Sequence, residues 1–131
     1  MNTATIGECM RLSFADTPFP VVLEKLSGAG VAAYTADLIA LRKTYYDSGA
    51  GNMDEAMPLS DAPAIAEGFD GATVEAALRA IQQKRIGYAE FLRRIMQAGC
   101  ARYSVFIAGR KAVYVGRNGD SYIEAFPAPA A

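Results

Sequence analysis

Not one histidine occurs among the 131 residues. Its absence removes Ser-His-Asp and Cys-His triads, histidine-ligated zinc and imidazole acid–base catalysis together. Cysteine is almost as scarce: Cys9 and Cys100 are the two in the chain, without Cys-x-x-Cys spacing, so no disulfide framework or all-thiolate metal site is available. Both stand where an aliphatic residue would serve and are expected as buried, reduced thiols. An excess of charge is also missing. Thirteen basic against fourteen acidic side chains leave a net charge of -1, too weak a field to hold nucleic acid or an anionic membrane. No apolar run approaches the ~18 residues of a membrane span, and the opening MNTATIGECMRL lacks the basic and apolar regions of a signal peptide. The expectation is a soluble, cytoplasmic protein with no nucleic-acid or membrane partner, folded as one domain over 1–131 without metal or disulfide.

What the sequence does have is a repeat. A shift of 69 residues superposes Leu23 on Leu92, Ala29-Gly30 on Ala98-Gly99, Ala32 on Ala101, Tyr34 on Tyr103, Tyr45 on Tyr114, and Glu55-Ala56-x-Pro58 on Glu124-Ala125-x-Pro127. These nine identities span positions 23–58 without a gap, where roughly three would arise by chance in so alanine-rich a chain. The chain therefore divides into repeat 1 (about 4–58), a linker (about 59–72) and repeat 2 (about 73–127).

Each copy opens at helical period. Thr3 or Thr5 can cap a helix carrying Ile6, Cys9 and Met10, and Thr73 one carrying Val74, Ala77, Leu78 and Ile81. Pro18 starts a second helix with Phe19, Val22, Leu23 and Leu26 on one face, matched by Tyr88, Phe91, Leu92 and Ile95, with glycines as stops. Beyond Gly30 and Gly99 the period falls to two, the mark of strands, and Asn118-Gly119 signals a hairpin before a last strand that Pro127 ends. In the linker, Pro63, Gly68 and Gly71 bracket a possible helical turn at 64–67. The fold class is α+β: a tandem duplication of a helix-helix-three-strand meander, forming one antiparallel sheet with helices on one face and a pseudo-two-fold axis.

Candidate chemistry is sparse. Gly28-Ala-Gly30 ends a helix instead of opening one, and neither it nor Gly49-Ala-Gly51 carries the Lys-Ser/Thr of a phosphate loop. Asp16, Asp54, Glu55 and Asp61 are accounted for by capping and solvation. Lys84-Arg85 and Arg93-Arg94 fall on polar helix faces, which read as solvated faces or a polar partner surface. No catalytic residue, metal site or cofactor is assigned. Two binding candidates remain. If Val113 and Val115 face the core, Tyr114 and its counterpart Tyr45 face outward, joined by Phe106 and Tyr122 as an apolar patch with phenolic handles; in the opposite pleat these rings are core. The second candidate is the repeat junction, where unlike residues such as Asp37 and Phe106, or Leu41 and Arg110, reach equivalent places.

The run Ala98-Gly99-x-x-x-Tyr103-Ser104-Val105-x-x-x-Gly109-Arg110-Lys111-Ala112-x-Tyr114-x-Gly116-Arg117-Asn118-Gly119-Asp120, with Ile123-Glu124-x-Phe126-Pro127, resembles the C-terminal signature of a bacterial family of about this length. That family is catalogued as a domain of unknown function and often labelled automatically as phage envelope protein. Ala80-Ile81-Gln82, Tyr88-x-x-Phe91-Leu92 and Gly30-Val31-x-x-Tyr34-x-x-Asp37-Leu38 extend the likeness over nearly the whole chain. The resemblance implies a small cytoplasmic α+β protein, sometimes prophage-borne, and carries over no activity. Two functions follow from the residues themselves: a non-enzymatic interaction module acting as a homodimer or on a protein partner through the outer sheet face or the cleft between repeats, with Tyr45 and Tyr114 as candidate contacts; or a small-molecule binder or minor enzyme with a pocket at the repeat junction, where Asp37 and Arg110 are the candidate binding residues.

Overall fold

The computed structural model describes residues 1–126; Pro127, expected to end the last strand, lies outside them. Helices α1 (Thr3–Phe14) and α2 (Phe19–Gly28) precede strands β1 (Ala33–Asp37), β2 (Arg42–Tyr46) and β3 (Asn52–Ala56). The plan then repeats as α3 (Gly71–Gln82), α4 (Tyr88–Gln97), β4 (Cys100–Phe106), β5 (Lys111–Gly116) and β6 (Ser121–Ala125). The six strands form one antiparallel sheet in the order β3-β2-β1-β4-β5-β6. Its middle is the β1–β4 pair, where Thr35 lies opposite Ser104 and their hydroxyls share a hydrogen bond of 2.8 Å. Those two residues are 69 apart, so each is the other's counterpart and the pseudo-two-fold axis passes between them.

Local chemistry explains the boundaries, with corrections to the sequence reading. Asn2, not Thr3 or Thr5, caps α1 by accepting from Thr5 N. Asp70 caps α3, accepting from Thr73 N and from the Thr73 hydroxyl that was read as the cap. Carboxylate and amide oxygens at these positions reach the third helical amide, one of the donors the helix cannot satisfy itself. Gly30 and Gly99 end α2 and α4 at φ 91° and 92°, a conformation glycine adopts without a Cβ penalty. Asn118-Gly119 makes the expected tight connection between antiparallel β5 and β6: of the pair only Gly119 takes positive φ, and Gly119 N donates to Gly116 O and Gly116 N to Asp120 O, closing a three-residue hairpin loop. The linker holds no helical turn at 64–67. It runs extended along repeat 2, with Ala66 N donating to Met96 O and Asp70 N to Ala98 O.

The repeat is also not gapless. Caps, buried positions and turns of α1 and α3 match at a shift of 68: Thr17 N donates to Leu12 O as Arg85 N does to Ala80 O. One extra residue, Ile86, then restores the shift to 69 before α4. Cys9 thus corresponds to Ala77, and both cysteines are buried and unlinked. All four helices lie over one sheet face. Ile6, Leu26, Val74, Leu92 and Ile95 from the helices meet Tyr45 and Val105 from the strands, all fully buried, each such aliphatic contributing about 1.5–3 kcal/mol by leaving water.

Candidate interaction surface

The two faces of the sheet differ completely. On the covered face, strand partners stand side by side, so a ring inward on one strand forces its partner inward on the next. Register pairs Tyr34 with Tyr45 and Tyr103 with Tyr114. Their rings form a continuous row across four strands, with centroids 5.5, 6.2 and 5.1 Å apart. Tyr45 is 1% and Tyr114 5% exposed, so the outward alternative is corrected: Ala112 and Tyr114 face the helices, and Val113 and Val115 face away. Tyr122 is also on the helix side, its hydroxyl donating to Glu75 at 2.7 Å.

Helix residues close over this row. Tyr88 hydrogen-bonds the Tyr103 hydroxyl and stacks near Phe91, and Phe14 meets Tyr88 edge-on. Into this cluster points Lys43, only 3% exposed, with its ammonium 4.7 Å from the Tyr88 ring centre and 5.4 Å from that of Tyr34, a cation–π placement. Its counterpart in repeat 2 is Ala112. Burial, with neighbouring hydroxyls, pushes Tyr34, Tyr103 and Tyr114 well above the ordinary phenol value and raises Tyr45 also. All four are therefore neutral at physiological pH.

Among the described residues no helix lies on the other face. Strands β1–β3 place Asp37, Arg42, Thr44, Tyr46 and Asp54 there, and β4–β6 place Arg102, Phe106, Lys111, Val113, Val115 and Ile123. Ile123 is 57% exposed and Phe106 39%. Arg42 Nε donates to Asp54 at 2.7 Å, both side chains about half exposed, a pair worth at most about 1 kcal/mol. Asp37 stands between Arg42 and Arg102 in the register, and its Oδ1 accepts from Ile39 N and Ala40 N, fixing the turn into β2. Arg110 occupies the turn into β5 at φ 54°, as Leu41 occupies the turn into β2 at 55°. Because β1 and β4 run antiparallel, these turns lie at opposite ends of the sheet, so Asp37 and Arg110 are not brought together.

The repeat junction holds a small cavity of about 200 Å³ lined by Leu38, Ile39, Leu41, Pro63, Met96 and Arg117 among others. That is below the ~300 Å³ at which ligand pockets begin, and one guanidinium is its sole charged group. Among the described residues no group of three or more Cys, Asp or Glu could hold a metal ion, and no helix is long and apolar enough to cross a membrane. Sequence reasoning missed the buried Lys43, although the repeat sets it opposite an alanine, and missed the open-face role of Ile123. A family model described as "Protein of unknown function (DUF1398)" matches residues 14–124. No curated protein matches the chain.

Proposed function

We propose that this chain, which belongs to that family of proteins of unknown function, is a non-enzymatic interaction module whose open sheet face packs on the same face of a second copy. The observation that carries the reading is the one-sided cover: a six-stranded sheet buries its helix side while Phe106, Ile123 and Tyr46 stand in water on the other. Six strands about 4.8 Å apart and five residues of about 3.3 Å give a face of roughly 500 Å² before side-chain relief. Two such faces together bury about 1,000 Å², the lower bound of a specific interface.

Charge favours one arrangement. The β1–β3 half carries Asp37 and Asp54 against Arg42, whereas the β4–β6 half carries Arg102 and Lys111 with no acid. A two-fold axis along the strands, through the Thr35–Ser104 pair, lays each half on the opposite half of the other copy. Asp37 of one copy then meets Arg102 of the second, and Tyr46 meets Lys111. Tyr45 and Tyr114 serve this surface from beneath, as rings that stiffen the strands, and Arg110 extends its basic rim beyond Lys111. The test is mass in solution by sedimentation. A dimer is expected, dissociated by Asp37→Arg and restored when Arg102→Asp is added to it, with thermal unfolding of each variant confirming a folded chain. A monomeric parent overturns the proposal.

A further inference from the structure

The two helical hairpins are counterparts, and one set of their differences falls together between the helices. Between α3 and α4 runs a groove of about 420 Å³ lined by Thr73, Ala76, Ala77, Ala80, Arg85, Ile86, Arg94 and Gln97. In the α1–α2 hairpin the residues matching Ala76 and Ala80 are Glu8 and Leu12. The residue matching Arg85 is Thr17, and Ile86 has no counterpart because it is the extra residue of repeat 2. The departures thus coincide: two side chains shrink to methyl groups, a guanidinium enters, and an acid leaves. The result is a floor of alanines with two cations and no carboxylate in its lining. Arg94 is held at one edge by Glu90, which accepts from its Nε at 3.1 Å, so the remaining N–H groups of its fork are available. No hydrogen bond or ion pair within the described residues engages the Arg85 side chain.

We propose that this groove binds a small organic carboxylate with a short apolar body. The volume falls in the range of ligand pockets, about 300–1,000 Å³. Guanidinium forks match a carboxylate in two parallel charge-assisted hydrogen bonds, and the alanine floor gives the body a surface to leave water on. From Thr73 to Ala80 the floor runs about 10 Å along the helix, and the α3–α4 connection closes one end, which suits a compact molecule. The site is independent of the open sheet face, since it lies on the outside of the helical layer.

The experiment is an amide-resolved NMR titration of the full chain with hexanoate, with hexanol and acetate as probes that keep only the body or only the charge. Hexanoate should shift the Ala76, Ala80 and Gln97 amides saturably, with hexanol and acetate each about tenfold weaker or more. Arg85→Gln with Arg94→Gln should weaken hexanoate by a similar factor. Ala80→Leu, which restores the side chain of the other copy, should abolish the shifts. Because Ala80 is buried, the exposed Ala76→Glu is the second variant, returning an acid to the groove without touching the core. Absence of saturable shifts, equal binding of hexanol, or full affinity in the arginine double variant each overturns the proposal.

Discussion

Glu55 and Glu124 occupy the same place in two copies of one unit, and their surroundings are opposite. Glu124 accepts from Arg79 at 2.9 and 3.2 Å, from Gln82 at 3.2 Å and from Tyr122 at 3.1 Å; the Arg79 hydrogen bonds hold its carboxyl below the ordinary value. In repeat 1 the residues matching Arg79, Gln82 and Tyr122 are Arg11, Phe14 and Met53, and Arg11 turns instead to Glu8 at 3.5 Å. Glu55 is left with a buried Oε1 that no hydrogen bond satisfies, and burial raises its pKa despite opposing help from Tyr45 and Lys43. Duplication kept the backbone position and let the partners drift, so one residue type carries two electrostatic roles on one scaffold.

The sharpest way to break the equivalence of the copies is at their helix stops. Gly30 and Gly99 share φ near 91°, but a Cβ on Gly99 would lie 2.0 Å from Gly68 O, whereas on Gly30 the nearest neighbour is Met1 Cα at 3.6 Å. Gly30→Ala should cost about 1–2 kcal/mol, the strain of a left-handed alanine. Gly99→Ala must also displace the linker and should cost about 4 kcal/mol or more, read from urea unfolding. Equal losses would mean that the linker does not bear on Gly99.

Where the copies agree, the effects should agree. Tyr45→Ser and Tyr114→Ser each remove a buried ring and should cost about 3 kcal/mol or more. A loss under about 1 kcal/mol for either would place that ring in water.

The carboxylates should diverge with pH. A lowered folded pKa means that Glu124 contributes stability present above the ordinary carboxylate value and lost as pH falls through its depressed one. Glu124→Gln should therefore destabilise at neutral pH, with the difference shrinking in acid. The raised pKa of Glu55 has the reverse sign: its contribution is present below the ordinary value and lost as pH rises through the raised one. Glu55→Gln should therefore gain on the parent from acid to neutral pH. Denaturation of both variants across that range checks the pair, and slopes of the same sign would refute the contrast.

The helix pairs, the meanders and their duplication were legible because helical and strand periods alternate in step with the 69-residue identities. The pleat of β5 was not. Ala112-Tyr114 and Val113-Val115 are both apolar enough to be core, and pairing with Tyr103 across the hairpin, a long-range fact, decides between them. The extra residue at Ile86 was hidden because the strongest identities all lie after it. Lys43 was hidden by its own charge, since a lysine in a strand reads as solvated until the aromatic cage around it is seen. The open face itself was foreseen with Phe106 on it, as observed, but Tyr45, Tyr114 and Tyr122 belong to the covered side.

The hydrogen bond between Thr35 and Ser104 has a consequence for how such a chain holds together. Every backbone pairing between the halves of the sheet runs through β1 and β4, so half a chain would bare its innermost strand as a raw edge, the kind of edge that recruits other strands. Two separate halves would have to find each other by diffusion at whatever concentration the cell supplied. A tether of fourteen residues, 57–70, between β3 and α3 replaces that encounter with an intramolecular one at an effective concentration of order millimolar. The seam is thereby closed in every molecule, independent of expression level.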